Sequence, residues 1–129
     1  MIYVLDTHAI VWYLTTDPRL SAAAEAVLDN LNAELVIPTM VLVEIQHLHA
    51  KNKFQANLTD VEQRLIALRN CTVYPLNKKV VSQIPGGLDI HDSIIVATAL
   101  VYRDLHQKPV TLVTKDTKIT QSGLIQTLW

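Results

Sequence analysis

Asp6, Glu44, Asp92 and Asp116 stand in or beside the most apolar segments of a 129-residue chain. Asp6 ends the run Ile2-Tyr3-Val4-Leu5. Glu44 interrupts Met40-Val41-Leu42-Val43, Asp92 opens the segment that continues through Ile94, Ile95 and Leu100, and Asp116 closes the one that begins at Val110. Each acid has a local explanation. Asp6 and Asp92 suit the positive N-terminal ends of the helices that follow them, Asp116 in Thr114-Lys115-Asp116-Thr117 suits a turn, and Glu44 has the polar neighbours Gln46 and His47. Together they suit one rim. Four carboxylates brought close repel, and some hold protons at neutral pH unless a cation is present. A donor set made of carboxylate oxygens fits Mg²⁺ or Mn²⁺. Asp89, three residues before Asp92, is either an outer member of that set or the N-cap of the same helix.

Other reactive chemistry is thinly supplied. Cys71 is the one cysteine, so neither an intramolecular disulfide nor a thiolate cage for zinc can form, and a reducing cytoplasm is the expected compartment. His47 and His49 are about 200° apart around a helix and cannot share a metal as an i, i+4 pair does. His8 and His91 adjoin the acids, where they face either solvent or a bound phosphate. Trp12 is expected in the core or at a contact between two copies of the chain.

The composition bounds the possibilities. Half of the chain is apolar, 18% is charged and the mean hydropathy is +0.22, which excludes a disordered segment. Eleven basic against twelve acidic residues give a net charge of −1, so a polyanion has to be held locally rather than by a basic coat. Lys51, Lys53, Arg103, Lys115 and Lys118 follow or adjoin the acidic segments and are the candidates for that task. The start Met1-Ile2-Tyr3-Val4 lacks the basic n-region of a signal peptide. The longest apolar stretch, Ile94 to Tyr102, falls far short of the ~20 residues of a membrane span.

The elements that would position the acids alternate. Strands are expected over 2–5, 35–37, 72–74, 110–113 and 124–128, each a short apolar run. Helices are expected from Thr7 through Leu14, over 22–30 with Ser21 as cap, over 40–51 with Thr39 as cap, over 60–69 behind a capping box at Thr59-Asp60-Val61-Glu62, over 77–84, and from Ile90 to about His106. This order argues an α/β fold: a three-layer α/β/α sandwich, one domain over residues 1–129, around a mainly parallel sheet of about five strands. In such sheets ligands bind beyond the carboxyl ends of the strands, where the strand order reverses. Asp6 and Asp116 face each other there if the first and fourth strands are neighbours.

Val4-Leu5-Asp6-Thr7-His8-Ala9, Val43-Glu44-Ile45 with Leu48, Asp92-Ser93-Ile94-Ile95-Val96-Ala97-Thr98-Ala99-Leu100 and Leu112-Val113-Thr114-Lys115-Asp116 resemble, in order and spacing, the motifs of PIN domains. The resemblance is nearest to the small stand-alone kind that acts as the VapC-type toxin of toxin–antitoxin pairs, and the segment from Ser122 to Trp129 resembles the end of such proteins. It implies a ribonuclease dependent on Mg²⁺ or Mn²⁺, with Asp6, Glu44, Asp92 and Asp116 as catalytic and metal-binding acids. Thr7 and Thr114 would orient a carboxylate or water. It further implies an RNA substrate, a small antitoxin whose Arg or Lys pairs with the acids, and a homodimer without membrane attachment. The segment Asp89-Ile90-His91-Asp92-Ser93 departs from the Asp-Pro-Phe-Asp-Arg that many such toxins carry.

Three other readings compete. A haloacid-dehalogenase-like phosphatase needs a second aspartate two positions after the first, where this chain has His8. A receiver domain needs a phosphoacceptor at the end of the middle strand, where Tyr74-Pro75 stands. A PIN-like module that binds RNA or protein without cutting is the non-enzymatic alternative, and metal-dependent cleavage of single-stranded RNA separates it from the nuclease.

Overall fold

The computed structural model describes residues 1–67 and 69–129. Five strands form one sheet in the order β3-β2-β1-β4-β5, where β1 is Ile2–Leu5, β2 Glu34–Pro38, β3 Cys71–Tyr74, β4 Val110–Val113 and β5 Thr127–Leu128. Every pairing is parallel, with Val4 opposite both Val36 and Leu112. Parallel strands are covered on both faces, which explains why Leu5, Leu35, Val36, Ile37, Leu112 and Val113 are all fully buried. Helices α1 (Thr7–Leu14), α2 (Ala22–Asp29), α3 (Thr39–Ala50), α4 (Leu58–Val61), α5 (Lys78–Ser82), α6 (Ile90–Leu100) and α7 (Thr117–Ser122) complete a three-layer α/β/α sandwich. Among the described residues no helix is long and apolar enough to cross a membrane.

From β1 the chain moves to β2 and β3 on one side, and β4 and β5 add on the other. The reversal therefore lies between β1 and β4, and the crevice it opens sits beyond Leu5 and Val113. The Asp6 amide donates to the Val113 carbonyl at 3.1 Å, carrying the sheet pairing one residue into that crevice.

Several expected boundaries shift for identifiable reasons. Thr39 does not cap α3; its hydroxyl donates instead to the Tyr74 carbonyl at 2.7 Å and ties the helix to β3, while Pro38 precedes the helix without a side-chain cap. The capping box lies two residues earlier than expected, between Asn57 and Asp60, each side chain accepting from the other's amide at 3.0 Å. Behind it the helix widens to i→i+5 bonding over Glu62–Ile66, closed by Ala67 N–H to Glu62 at 2.9 Å. Of the helix expected over 60–69, Leu68 lies outside the described residues. A second π-helical turn, Val101–Leu105, extends α6.

The largest correction is at the end of the chain. β5 is two residues long rather than five, and α7 precedes it, capped by Asp116 and stopped by Gly123 at φ 67°.

Candidate active site

All four acids reach one open cleft of about 460 Å³ at the switch point between β1 and β4, and Asp89 lines it with them. Local helix physics accounts for each position. Asp6 is the N-cap of α1, with Oδ1 accepting the Thr7 amide at 2.7 Å. Asp89 caps α6 by accepting the Asp92 amide at 3.0 Å, and this sets Asp92 in the first turn. Asp116 caps α7 by accepting the Ile119 amide at 3.0 Å. Glu44 reaches the cleft from the middle of α3, between the buried Val41 and Ile45. Three helix N-termini thus converge at the strand ends, each contributing an acid.

Thr114 links two of these acids. The residue is 1% exposed, and its hydroxyl donates to Asp6 Oδ2 at 2.6 Å and accepts the Asp116 amide at 3.0 Å. A hydroxyl can do both at once, and a methyl group can do neither. Thr114→Val keeps the shape but strands the Asp116 amide and frees one oxygen of Asp6. A loss of about 1–3 kcal/mol in unfolding free energy is expected by denaturant titration.

The electrostatics are those of acids gathered in a partly buried cleft, whose rise His8 and His91 oppose without cancelling. Burial raises the Asp6 carboxyl above the usual range, against the opposing hydrogen bonds from Thr114 and Thr7, and Asp116 adds to the rise. Burial likewise raises Glu44, and Asp6 pushes in the same direction. Asp92 is pushed up to about 7 by burial, then by Asp116, Asp89 and Asp6. Asp89 moves the opposite way, lowered first by its bond from the Asp92 amide, as a capping carboxylate should be.

Two buried polar atoms facing this group lack hydrogen-bond partners among the described residues: Glu44 Oε1 and Thr7 Oγ1. Thr7 lowers the Glu44 carboxyl against the rise that burial and Asp6 cause. An orphaned buried acceptor beside carboxylates that resist ionisation is the environment a divalent cation would satisfy, and the donors are the hard oxygens it prefers. Among the described residues no three carboxylate, imidazole or thiolate groups have already closed to coordinating distance. Asp6, Asp89 and Asp116 are each held in place as the cap of a separate helix.

A family model of the PIN domain matches residues 3–122. The chain belongs to the PIN domain family. Among solved structures, this PIN domain is similar to VapBC2 from Rickettsia felis bound to a DNA fragment from their promoter, at a TM-score of 0.68 and 19% identity over 99% of this chain and 98% of that one. It is similar to VapBC-1 from nontypeable Haemophilus influenzae, at 0.65 and 20% over 99% and 97%, and to a toxin–antitoxin complex from Klebsiella pneumoniae, at 0.63 and 18% over 98% and 96%. Identities this low establish a shared fold. No curated protein is significantly similar in sequence.

The PIN fold brings Asp6, Thr7, Glu44, Asp89, Asp92 and Asp116 to the same cleft, with Thr114 beneath it. Both expected roles of Asp89 meet in one residue, since it caps α6 and lines the cleft. Lys115 and Lys118 lie at the rim and Lys53 lines an adjoining cleft. Arg103 does not join them: its guanidinium holds Asp104 at 2.8 Å and the Leu124 carbonyl at 2.7 Å, at the amino ends of β4 and β5, away from the acids. Trp12 is 8% exposed and packs against Trp129, as a core residue would, yet its edge reaches the cleft. Phe54 was not singled out in sequence, and its ring stands against His8. The signal available was that the chain's one phenylalanine falls in the polar segment Lys51-Asn52-Lys53-Phe54-Gln55.

Proposed function

We propose that this chain, one domain over residues 1–129, is a metal-dependent ribonuclease and the toxin of a type II toxin–antitoxin pair. The observation that carries the reading is the convergence of Asp6, Glu44, Asp92 and Asp116 on one cleft beside the β1–β4 reversal, where the buried Glu44 Oε1 has no hydrogen-bond partner among the described residues. Acids gathered in this way repel one another unless a cation offsets them, which fits metal-dependent charge chemistry and argues against the PIN-like module that binds without cutting.

Asp6, Glu44, Asp92 and Asp116 would hold Mg²⁺ or Mn²⁺. When bound, such an ion would lower the pKa of an attacking water and offset charge on the phosphate. The chain's own groups do the rest. Thr114 and the Thr7 amide fix both oxygens of Asp6, so its carboxylate cannot swing away. The Asp89 cap holds the start of α6 and with it Asp92. Lys115 and Lys118 stand at the rim to hold the phosphates of an RNA strand. With a net charge of −1, that affinity should be modest and fall steeply with salt.

The partners follow from the same reading. One of the similar solved structures is a toxin–antitoxin complex, which supports an antitoxin for this chain. A homodimer is supported by large apolar side chains left exposed on α3, α5 and their flanks: Val43, Leu76, Val81 and Ile84.

The test is hydrolysis of single-stranded RNA in Mg²⁺ and in EDTA, with 5′-phosphate and 3′-hydroxyl products expected in Mg²⁺ alone. A binding measurement accompanies it. Mg²⁺ should raise the thermal midpoint of the wild type, by about 2.7 kcal/mol of added stability at a hundred times Kd. The combined Asp6→Asn, Glu44→Gln, Asp92→Asn, Asp116→Asn variant should show no rise. An equal rise in both would mean that the ion binds elsewhere.

A further inference from the structure

Beside the acid cleft runs a second one, and His8 and Trp12 line both. Its character differs. Three rings line it beside Asp17, Arg19 and Lys53: the His8 and Phe54 rings meet nearly at right angles, 81° between planes with centroids 5.7 Å apart, and His8 also leans on Trp12 at 5.1 Å. Lys53 belongs to its lining, and Lys115 lies 5.5 Å over the Trp12 ring at the junction with the acid cleft. Neither lysine is in an ion pair among the described residues; Arg19, 4.6 Å over Trp12, is engaged by Asp17 instead.

This corner is built rather than incidental. After α3 the chain stops in a Schellman turn, with the Asn52 amide donating to His49 at 2.9 Å and the Lys53 amide to Leu48 at 2.8 Å. Asn52 takes φ 59°, a left-handed conformation asparagine tolerates better than most residues. His49 Nδ1–H then donates to the Phe54 carbonyl at 3.0 Å, so the backbone of Phe54 is pinned. The turn has the effect of carrying one aromatic ring from the end of α3 to the side of His8, two residues from Asp6.

We propose that the corner of His8 and Phe54, flanked by Lys53 and Lys115, is a stacking subsite for one base of single-stranded RNA whose backbone continues into the acid cleft. The inference rests on the nuclease reading above. An RNA base offers a flat face to one ring and its edge to the other, and the phosphates on either side meet the two lysines. A protein segment is the poorer fit, because Val11 and Pro18 are the aliphatic side chains of the lining and a packed helix would need a broader apolar floor. Stacking of this kind holds a strand in register and tolerates any base.

The experiment measures binding, so its result does not depend on cleavage. The Asp116→Asn variant in Mg²⁺ is titrated against a fluorescent single-stranded RNA hexanucleotide, then against the same strand with an abasic nucleotide at each position in turn. One abasic position should weaken binding about tenfold or more. Phe54→Ala should weaken binding of the intact strand by a similar factor and become insensitive to that abasic position, while Phe54→Tyr restores both. The proposal is overturned if no abasic position matters, or if the two losses multiply as independent effects. It is overturned equally if Phe54→Ala leaves RNA binding intact but releases a copurifying small protein, which would make the cleft a protein-docking surface. Should Phe54→Ala fail to fold, quenching of 2-aminopurine placed at the sensitive position decides: quenching by the parent protein that Lys53→Gln weakens supports the subsite, and unchanged fluorescence overturns it. Wild type that binds but does not cut would remove the nuclease reading and leave the stacking result standing.

Discussion

Asp92→Asn should abolish RNA cleavage in Mg²⁺ and at the same time make the protein more stable above neutral pH. The two effects share one cause. Asp92 is raised to about 7 by burial and by Asp116, Asp89 and Asp6, so its charged form is disfavoured in the folded state and is useful only with a cation present. Asparagine keeps the shape, removes the charge and relieves the repulsion. Asp104→Asn, which alters an exposed acid paired with Arg103 far from the cleft, should leave cleavage unchanged. Wild-type rates in purified Asp92→Asn would show that the acid set is misassigned.

The pH dependence gives this prediction a sign. The Asp92 carboxyl titrates near 4 when unfolded and at about 7 when folded, so between these values the native state binds more protons than the unfolded one. Metal-free wild type should therefore lose stability as pH rises from about 4 to about 7, and level off above. Asp6 and Glu44 are raised as well and act in the same direction. Asp17 and Asp104 are lowered by their arginines, and their contribution is lost only as pH falls below about 4, outside that window. Thermal melts in EDTA across this range should show the decline, and Asp92→Asn should flatten much of it. A wild type whose stability rises from pH 4 to pH 7 would contradict the picture of uncompensated acids.

How much of this was readable beforehand depended on the range of the interactions. β1, β2 and β4 are short runs of buried apolar residues and declare themselves, and the acids stood out because they break such runs. That Asp6 and Asp116 face each other followed from one topological condition, that β1 and β4 be neighbours, which the sheet meets. α7 was hidden because Thr117-Lys118-Ile119-Thr120-Gln121-Ser122 buries only Ile119, too little for a periodic pattern. Its signals were an aspartate three residues before that isoleucine and Gly123 after it, each common in turns as well. The π-helical turns at Glu62–Ile66 and Val101–Leu105 leave no mark in composition, since they reflect packing rather than propensity. Thr39 looked like a cap because the type is right, but a carbonyl 35 residues away competed for its hydroxyl. The corner of His8 and Phe54 has the same origin: it joins α1 to the turn after α3, and no local pattern announces a contact across 46 residues.

Expression of the chain without a partner should arrest growth, and Asp116→Asn should remove the arrest. Asp116 is a suitable residue for this test because asparagine can still accept the Ile119 amide and cap α7, so the fold is preserved while the charge is lost. The same acids define how the activity would be restrained. Asp6, Glu44 and Asp92 are each raised by burial first and by neighbouring acids in addition, so a cationic side chain entering the cleft gains from several of them at once. An Arg from a small antitoxin would take the place of the metal and make charge-assisted hydrogen bonds, including one that Glu44 Oε1 lacks. From the native host, a small protein should therefore copurify with the chain and inhibit cleavage. Replacing its inserted Arg by Ala should release that inhibition, as should excess Mn²⁺ competing for the acids. If the wild type is harmless when overexpressed and nothing copurifies, the toxin role falls and the metal-dependent nuclease remains to be judged by cleavage alone.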